Sequence, residues 1–236
     1  MTKIHIKNSI SDTRALFYFG VVTFIYALSL GLFIQLYMIP VLLPGSNLGA
    51  GISVLDSFGF HKIASEKAIE ISHQGWSAWE LRPQRHFPAG LASFFYALWT
   101  PKPYALLPFN AILHALSGCL VVWSLRQYFS LLPSIIGGAV FVLNPVAMEW
   151  IAQIHRDGVF VLGNLMVVAC LLQLSKNLYN FKISSAIWGL FFGLSGTAVV
   201  WLARPFWVQV IFASILLWVG LLVLLYVFTN IGVDKN

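Results

Sequence analysis

The sequence predicts an all-α, polytopic integral membrane protein with about six transmembrane helices. Of its 236 residues, 59% are hydrophobic and only 9% are charged, whereas soluble proteins carry about 25% charged residues. Such a chain cannot cover itself with a solvated surface. Six of its apolar runs also approach or exceed the roughly 20 residues that a helix needs to cross a bilayer. These observations argue against a water-soluble enzyme, a disordered chain and a nucleic-acid-binding domain.

The apolar runs follow one another with short polar turns between most of them. The first run is too long for a signal peptide and follows a basic start that ends at Arg14, which predicts an uncleaved anchor with a cytoplasmic N-terminus. The third run is interrupted by Asn144 and Pro145. Residues 88–99 are apolar but too few to cross, which favours an interfacial or re-entrant segment. The six predicted spans are 15–43, 104–125, 129 to about 151, 158–174, 184–202 and 206–228.

The charges between the runs support this arrangement. With six spans, the turns on the cytoplasmic side carry mainly Lys and Arg, as the positive-inside rule expects. A seventh span at 88–99 would instead place Glu149 and Asp157 in the cytoplasm and Arg126 outside. The basic residues assigned to the cytoplasmic side are Lys3, Lys7, Arg14, Arg126, Lys176, Lys182 and Lys235.

The segments between the spans form two sizeable loops on the outer face. The first outer loop is 44–103, and Asp56 in it has the position of a helix start. Within it, apolar residues of 58–73 recur at helical spacing, which predicts an amphipathic helix in the membrane interface. The second outer loop is 144–157. Because no repeat or linker divides the chain, residues 1–236 are predicted to form a single domain.

Charged side chains gather in these two loops and in a short third outer loop, Ala203-Arg204-Pro205, and charges beside a membrane core tend to be functional. Arginine offers a forked guanidinium that matches phosphate oxygens, and a carboxylate can accept a proton from a hydroxyl or hold a divalent metal. We therefore predict a site for an anionic, lipid-linked substrate. Its candidate residues are Asp56, Arg82, Arg85 and His86 in the first loop, Glu149, Arg156 and Asp157 in the second, and Arg204 in the third.

Each candidate also has a structural interpretation that needs no substrate. On the second span, Asn110 and His114 are four residues apart, which favours a polar contact between helices. For the loop residues, the alternatives are helix capping for Asp56 and Asp157, contact with lipid head groups for Arg82 and Arg85, a solvated position for Glu149 and Arg156, and a turn anchor for Arg204.

Several short motifs occur in a characteristic order along the chain. After the first span come an early Asp in the outer loop, the amphipathic helix, an Arg-Pro string, a Pro-x-Gly, an Asn-bearing span, and an Asn-Pro before a charged loop. The corresponding residues are Asp56, Arg82-Pro83, Pro88-Ala89-Gly90, Asn110, Asn144-Pro145 and His155-Arg156-Asp157-Gly158. Over about 15–174, this order resembles the N-terminal half of the GT-C superfamily of membrane glycosyltransferases. The nearest group is the bacterial relatives of protein O-mannosyltransferases and of the aminoarabinose transferase of lipid A.

The resemblance implies an enzyme of the bacterial inner membrane. It would transfer a sugar from a polyprenyl-phosphate carrier to an acceptor on the outer side, usually with inversion. It implies that Asp56 acts as the general base or as a carboxylate near the reacting centre. An acid of the second outer loop would join it, with Asp157 matching best and Glu149 second. It also implies that Asp56 and Asp157 can share a divalent metal ion such as Mg²⁺ or Mn²⁺. Basic residues at the end of the first loop would contact the donor phosphate, namely Arg85 and His86.

The sequence departs from the family pattern in two respects. The Pro-Pro that usually follows the basic residue is missing from the string Arg82-Pro83-Gln84-Arg85-His86, so Arg82 and Arg85 are both candidates for the phosphate contact. Familiar members are also longer and have more spans. The part that recognises the acceptor is therefore expected to be absent or supplied by a partner subunit.

Two other functions compete with the transferase. The first is a non-catalytic membrane subunit, or accessory protein, of cell-envelope polysaccharide or glycolipid assembly that binds lipid-linked saccharide. The second is a small transporter. The transporter is disfavoured because the spans hold almost no ionisable residue at mid-depth, where a coupling relay would be expected.

Overall fold

The computed structural model describes residues 10–177 and 182–233. Their regular structure is helical apart from one isolated bridge between Gly49 and Ile52, which confirms the predicted all-α class. The first helix continues as a π-helix over Ile34–Leu42. The α-helices are α1 (Ile10–Phe33), α2 (Leu55–Gln74), α3 (Phe87–Leu98), α4 (Leu107–Arg126), α5 (Leu131–Val142), α6 (Ala147–Ala152), α7 (Asp157–Asn177), α8 (Ile183–Ala203) and α9 (Trp207–Val233).

Five segments of the described chain are long and apolar enough to cross a membrane. Each overlaps one of the predicted spans, so the sequence located these helices correctly. Lys3, Lys7 and Lys235, used above to orient the chain, lie outside the described residues. The five segments are Asp12–Leu42, Pro103–Arg126, Asp157–Ser175, Ile183–Ala203 and Trp207–Leu224.

The remaining predicted span, 129 to about 151, is divided in two. α5 has 12 residues, which at 1.5 Å per residue gives a length of about 18 Å, well short of the hydrocarbon core of roughly 30 Å. A turn follows, in which Oδ1 of Asn144 accepts a hydrogen bond from the backbone N–H of Val146 at 3.0 Å. Pro145 has no N–H with which to continue a helix, and α6 begins only at Ala147.

The divided segment lies along α4 in the antiparallel direction. Towards the C-terminal end of α4, a Cβ at Gly138 would collide with the side chain of Val122, so α5 and α4 approach closely there. Further along, Nε2 of His114 lies 3.1 Å from the carbonyl oxygen of Val142. Near the start of α4, Nδ2 of Asn110 donates to the carbonyl oxygen of Ile151 at 3.1 Å. The predicted role of Asn110 and His114 as polar contacts between helices is therefore confirmed.

In the first outer loop, α2 and α3 pack against each other. The predicted amphipathic helix is present as Leu55–Gln74, but its apolar face is covered by α3 and is not open to lipid. The apolar side chains that α2 exposes are Leu55, Phe58 and Ile69 on its other side. The buried contact between the two helices includes Phe60, Ala64 and Ala68 of α2 and Ala89, Ala92 and Tyr96 of α3.

Gly90 allows the chain before α3 to cross the first turn of that helix. The indole Nε1 of Trp79 donates to the carbonyl oxygen of Gly90 at 3.0 Å. A Cβ at position 90 would lie 2.6 Å from the carbonyl oxygen of Glu80 and closer still to the carbonyl of Leu81. Because only glycine lacks that atom, the Pro-x-Gly motif has a packing cause that the sequence alone does not reveal.

At the opposite end of the bundle, a buried ion pair joins α1 to α4. Nη2 of Arg126 donates to Oδ2 of Asp12 at 3.0 Å, and the two side chains are only 14% and 9% exposed. Nη1 of Arg126 also donates to the carbonyl oxygen of Phe129 at 2.9 Å. This arginine thus connects α1 to α4.

Candidate functional site

The first and second outer loops are joined at the beginning of α2. Oγ of Ser57 donates to the carbonyl oxygen of Ile154 at 3.0 Å. The amide of Gln153 bonds the residues just before α2, since its Oε1 accepts from the N–H of Ser53 and its Nε2 donates to the carbonyl of Gly51, each at 3.3 Å. The chain that enters α2 is therefore fixed to the segment between α6 and α7.

Two more buried side-chain amides bond to the segment between α6 and α7. Nε2 of Gln35, in the π-helix, donates to the carbonyl oxygen of Ala152. Nδ2 of Asn110 donates to the carbonyl of Gln153 as well as to that of Ile151, each at 3.1 Å. Two separate parts of the chain thus contribute side-chain amides that satisfy the backbone carbonyls of residues 151–153 and fix their position relative to α1 and α4.

Replacing Gln153 with methionine is expected to lower the free energy of unfolding by about 1–3 kcal/mol. Methionine keeps most of the side-chain volume but leaves the carbonyl of Gly51 and the N–H of Ser53 without their partner, at a residue only 2% exposed. The measurement is equilibrium unfolding in detergent micelles. Gln74→Met, at the exposed end of α2, is the control and should shift the value by no more than about 0.5 kcal/mol. Equal losses in both variants would contradict the prediction.

Asp56 lies in the first turn of α2, beside the junction made by Ser57. Its side chain is exposed. The residue in the N-cap position is Val54, and that cap has no side-chain hydrogen bond. Asp56 is therefore not the cap of α2, although its negative charge is favoured by the partial positive charge at the start of a helix. The contact with the second outer loop is made by the next residue, Ser57.

Asp157 connects the second outer loop to the third. Its Oδ1 accepts a hydrogen bond from Nη2 of Arg204 at 2.5 Å, and its Oδ2 lies 3.1 Å from Nδ1 of His155. The guanidinium of Arg204 also lies 4.9 Å from the ring centroid of Phe160. The structure thus brings together Asp157 and Arg204, two of the predicted site residues, as a direct ion pair at the start of α7.

Arg82 connects the first outer loop to the third. Its Nη2 donates to the carbonyl oxygens of Trp201 and Leu202 at 2.8 and 2.9 Å, and its guanidinium lies 4.4 Å from the ring centroid of Trp201. These are the last carbonyls of α8, where a cation is favoured by the helix dipole. In this conformation Nη2 of Arg82 bonds two backbone carbonyls, and the guanidinium contacts the ring of Trp201.

Arg85 and His86 lie in the short segment before α3, and both are exposed. Gln84 and Arg85 have φ values of 50° and 69°, a left-handed conformation that costs non-glycine residues energy and often occurs at functional sites. The ring of His86 lies 5.3 Å from that of Phe60 in α2. Arg85 thus has a left-handed backbone conformation and an exposed side chain.

A buried lysine fastens the same segment to α2. Nζ of Lys67 lies 2.7 Å from a carboxylate oxygen of Glu80 and 2.9 Å from one of Glu70. The hydrogen bonds to Glu80 and Glu70 raise the pKa of Lys67, so the charged ammonium is favoured. The chain just before Arg82 is therefore attached both to α2 and to the end of α8.

Glu149 and Arg156 are placed more loosely than Asp157. Glu149 is exposed in α6, and Arg156 is partly exposed immediately before α7. No side-chain contact links either of them to another predicted site residue within 10–177 and 182–233. Both keep a solvated position.

The resemblance implies a divalent metal ion shared by Asp56 and Asp157. In 10–177 and 182–233, no three His, Cys, Asp or Glu side chains are grouped as ligands. Both carboxylate oxygens of Asp157 have hydrogen-bonding partners in His155 and Arg204. The metal site stays a prediction, and we derive no step through a metal.

Several residues that build this site were not among the predicted ones. His155 contacts Asp157 directly, while Ser57, Gln153 and Gln35 determine how the loops meet. Gln35 carried a signal, because it is a single amide in an apolar stretch of sequence and a buried amide needs a partner. The partners themselves, mostly backbone carbonyls of distant segments, leave no trace in the sequence.

With this geometry established, we compared the chain with protein families, curated proteins and solved structures, and none matches it.

Proposed function

We propose that the protein is a membrane glycosyltransferase of the GT-C type, which transfers a sugar from a polyprenyl-phosphate carrier to an acceptor on the extracytoplasmic side. The main support is the 3.0 Å hydrogen bond from Ser57 to Ile154, because it joins the residue that follows the exposed Asp56 to the loop that carries Asp157. Arg204 of the third loop contacts Asp157 in turn. Acidic and guanidinium groups from all three outer loops therefore lie at one end of the helix bundle.

In the proposed mechanism, Asp56 acts as the general base. Its carboxylate accepts the proton of the acceptor hydroxyl while that oxygen attacks the anomeric carbon of the donor sugar. The bond between the anomeric carbon and the phosphate oxygen breaks, and polyprenyl phosphate leaves with the electron pair, which inverts the configuration. A guanidinium near the leaving phosphate would stabilise the charge that develops there.

The arginines divide into two groups in this mechanism. Arg85 is exposed and Arg156 partly so, so we assign the donor phosphate to them, with His86 beside Arg85. Arg82 and Arg204 have protein partners in the α8 carbonyls and Asp157, so we assign them to positioning the loops. This narrows the choice between Arg82 and Arg85 that the sequence left open.

We also propose that the segment from α5 to α6 makes a sixth crossing. Its support is the antiparallel path along α4, with hydrogen bonds at His114 and Asn110. Six crossings with a cytoplasmic N-terminus place Asp56 and Asp157 outside, and we propose the bacterial inner membrane as the location.

The test is sugar transfer by the purified protein in vesicles, supplied with a panel of polyprenyl-phosphate sugars. We expect transfer by the unmodified protein and at least a hundredfold slower rate for Asp56→Asn, because general base catalysis contributes about 10²–10⁴-fold. Glu66→Gln removes another exposed carboxylate of α2 and should leave the rate unchanged. Full activity of Asp56→Asn would remove the base assignment, and no transfer from any donor would reject the enzyme.

The second candidate function is a non-catalytic subunit that binds lipid-linked saccharide. It is favoured by one observation, that Arg82 and Arg204 are engaged by protein groups, which leaves fewer cations for a phosphate in transit. For this function, the purified protein would bind a polyprenyl-phosphate sugar without releasing polyprenyl phosphate. Asp56→Asn would then leave binding unchanged, whereas Arg85→Gln would weaken it.

A further inference from the structure

A histidine and a tyrosine meet in the buried contact between α2 and α3. Nδ1 of His61, on α2, lies 2.8 Å from the hydroxyl oxygen of Tyr96, on α3, and the two rings pack edge to face with their centroids 5.6 Å apart. Tyr96 is only 3% exposed. We propose that this contact is acid-sensitive: it holds α2 against α3 while His61 is neutral, and it breaks when His61 takes up a proton.

The direction of the hydrogen bond depends on which group carries the hydrogen. Burial raises the pKa of Tyr96, so the phenol keeps its hydrogen and donates it. A neutral imidazole with its own hydrogen on Nε2 accepts this bond at Nδ1. A protonated imidazole cannot accept it, and the Tyr96 hydroxyl would then be a buried donor with no other partner among the described residues. Because an unpaired buried donor costs free energy, protonation of His61 weakens the contact.

The surroundings of His61 oppose its protonation while the two helices are together. Apolar side chains form most of the contact between α2 and α3. Burial lowers the pKa of His61 from its ordinary 6.5, and no charged neighbour contributes to this shift. When α2 and α3 separate, the imidazole is solvated and regains its ordinary value. The closed arrangement is therefore favoured above about pH 6.5, and this advantage is lost as the pH falls below that value.

Other titratable groups of the adjoining elements have different contacts. Lys67 is paired with Glu70 and Glu80, and carboxylates ordinarily titrate near pH 4, well below the range of a histidine. Tyr96 is the only titratable residue of α3. The remaining groups are exposed or have partners of their own, namely Asp56, Lys62, Glu66 and His73 on α2, His86 before α3, Lys102 before α4 and His155 before α7.

Breaking this contact would loosen the first outer loop from within. α2 carries Asp56 in its first turn, and α3 directly follows Arg85 and His86, so the packing of the two helices positions groups of the predicted site. The chain before α3 would stay attached to α2 through Lys67 and Glu80. Acid would therefore separate α2 from α3 without detaching the loop.

The experiment is amide hydrogen exchange of the full chain in detergent micelles, read by mass spectrometry at pH 7.5 and pH 5.5. The rates are corrected for the intrinsic exchange rate at each pH. We expect the protection of residues 55–98 to fall about tenfold at pH 5.5, because the open form gains about that factor when a group with a pKa of about 6.5 is protonated. Helix α8, which has no titratable side chain, should keep its protection.

Three variants assign the effect to this pair of residues. His61→Asn keeps an acceptor oxygen near the position of Nδ1 but does not titrate in this range, so the fall in protection should disappear. His73→Asn changes an exposed histidine of α2 and should keep the whole fall. Tyr96→Phe removes the donor and should lower the protection already at pH 7.5.

Three results would overturn the proposal: equal protection of the unmodified protein at both pH values, an equal fall in His61→Asn, or full protection of Tyr96→Phe at pH 7.5. A fall that begins only below pH 5 would also overturn it, since the acid sensitivity would then belong to the carboxylates around Lys67. None of these measurements involves sugar transfer, so their failure is distinct from that of the proposed function.

Discussion

Replacing Asp12 with alanine is expected to lower the free energy of unfolding by about 3–5 kcal/mol. The change removes one partner of a buried ion pair, in which Arg126 donates to Asp12 at 3.0 Å and both side chains are less than 15% exposed. The remaining guanidinium would be buried without a counter-charge, and its Nε already has no partner among the described residues. The loss therefore reflects the cost of burying an uncompensated charge more than the strength of one hydrogen bond.

The double variant Asp12→Leu/Arg126→Met separates these two contributions. Because it removes both charges and restores apolar packing, the double variant should lose much less unfolding free energy than the sum of the losses for Asp12→Leu and Arg126→Met alone. The measurement is equilibrium unfolding in mixed micelles with increasing denaturing detergent. Arg14→Met, an exposed cation of the same helix end, is the control and should change the value by no more than about 0.5 kcal/mol. A small loss for Asp12→Ala, below about 1 kcal/mol, would show that the pair is hydrated in the micelle.

The long helices could be predicted from the sequence because hydropathy reports directly on burial in lipid. The run predicted at 184–202 is α8, Ile183–Ala203, and the run at 104–125 lies within the apolar segment Pro103–Arg126. The division of the third run could be predicted from Asn144-Pro145. The path of α5 and α6 could not be predicted, because it depends on the close contact of Gly138 with Val122 of α4.

Helical periodicity predicted α2 but not its neighbour. An apolar stripe indicates that one face of a helix is buried. It does not indicate whether a membrane surface or another helix covers that face. Here the stripe containing Phe60 and Ala64 packs on α3. The sequence did not predict the π-helix at Ile34–Leu42 either. Its Gln35 bonds the carbonyl of Ala152, which lies more than one hundred residues away in the chain.

The contact between Asp157 and Arg204 could not be predicted from the sequence, although both residues were candidates. Arginine and aspartate beside apolar runs identified Asp157 and Arg204, which the structure joins at 2.5 Å. Their pairing depends on α7 and α8 lying side by side, which composition does not encode. The same limit applies to Arg82, predicted as a phosphate or lipid contact, whose guanidinium is bound to the last carbonyls of α8.

Replacing Gly90 with alanine is expected to destabilise the first outer loop severely, by at least about 3 kcal/mol. The added Cβ would meet the backbone of Glu80 and Leu81, and a carbonyl group cannot rotate away as a flexible side chain can. To relieve the collision, the chain before Arg82 must move off α3, which breaks the Trp79 hydrogen bond to the Gly90 carbonyl. Arg82 would then lose its position at the end of α8.

Gly59→Ala is the matched control for this prediction. Gly59 lies inside α2, and a Cβ there meets nothing within 4 Å. Alanine should therefore stabilise the protein by about 0.5–1 kcal/mol, because it restricts the unfolded chain. Unfolding in micelles gives both values, and limited proteolysis locates the change, with new cleavage expected between α2 and α3 only in the Gly90 variant. If the two glycine variants unfold alike, residues 80–81 do not cross α3 as closely as described, and the packing cause given for the Pro-x-Gly motif would be wrong.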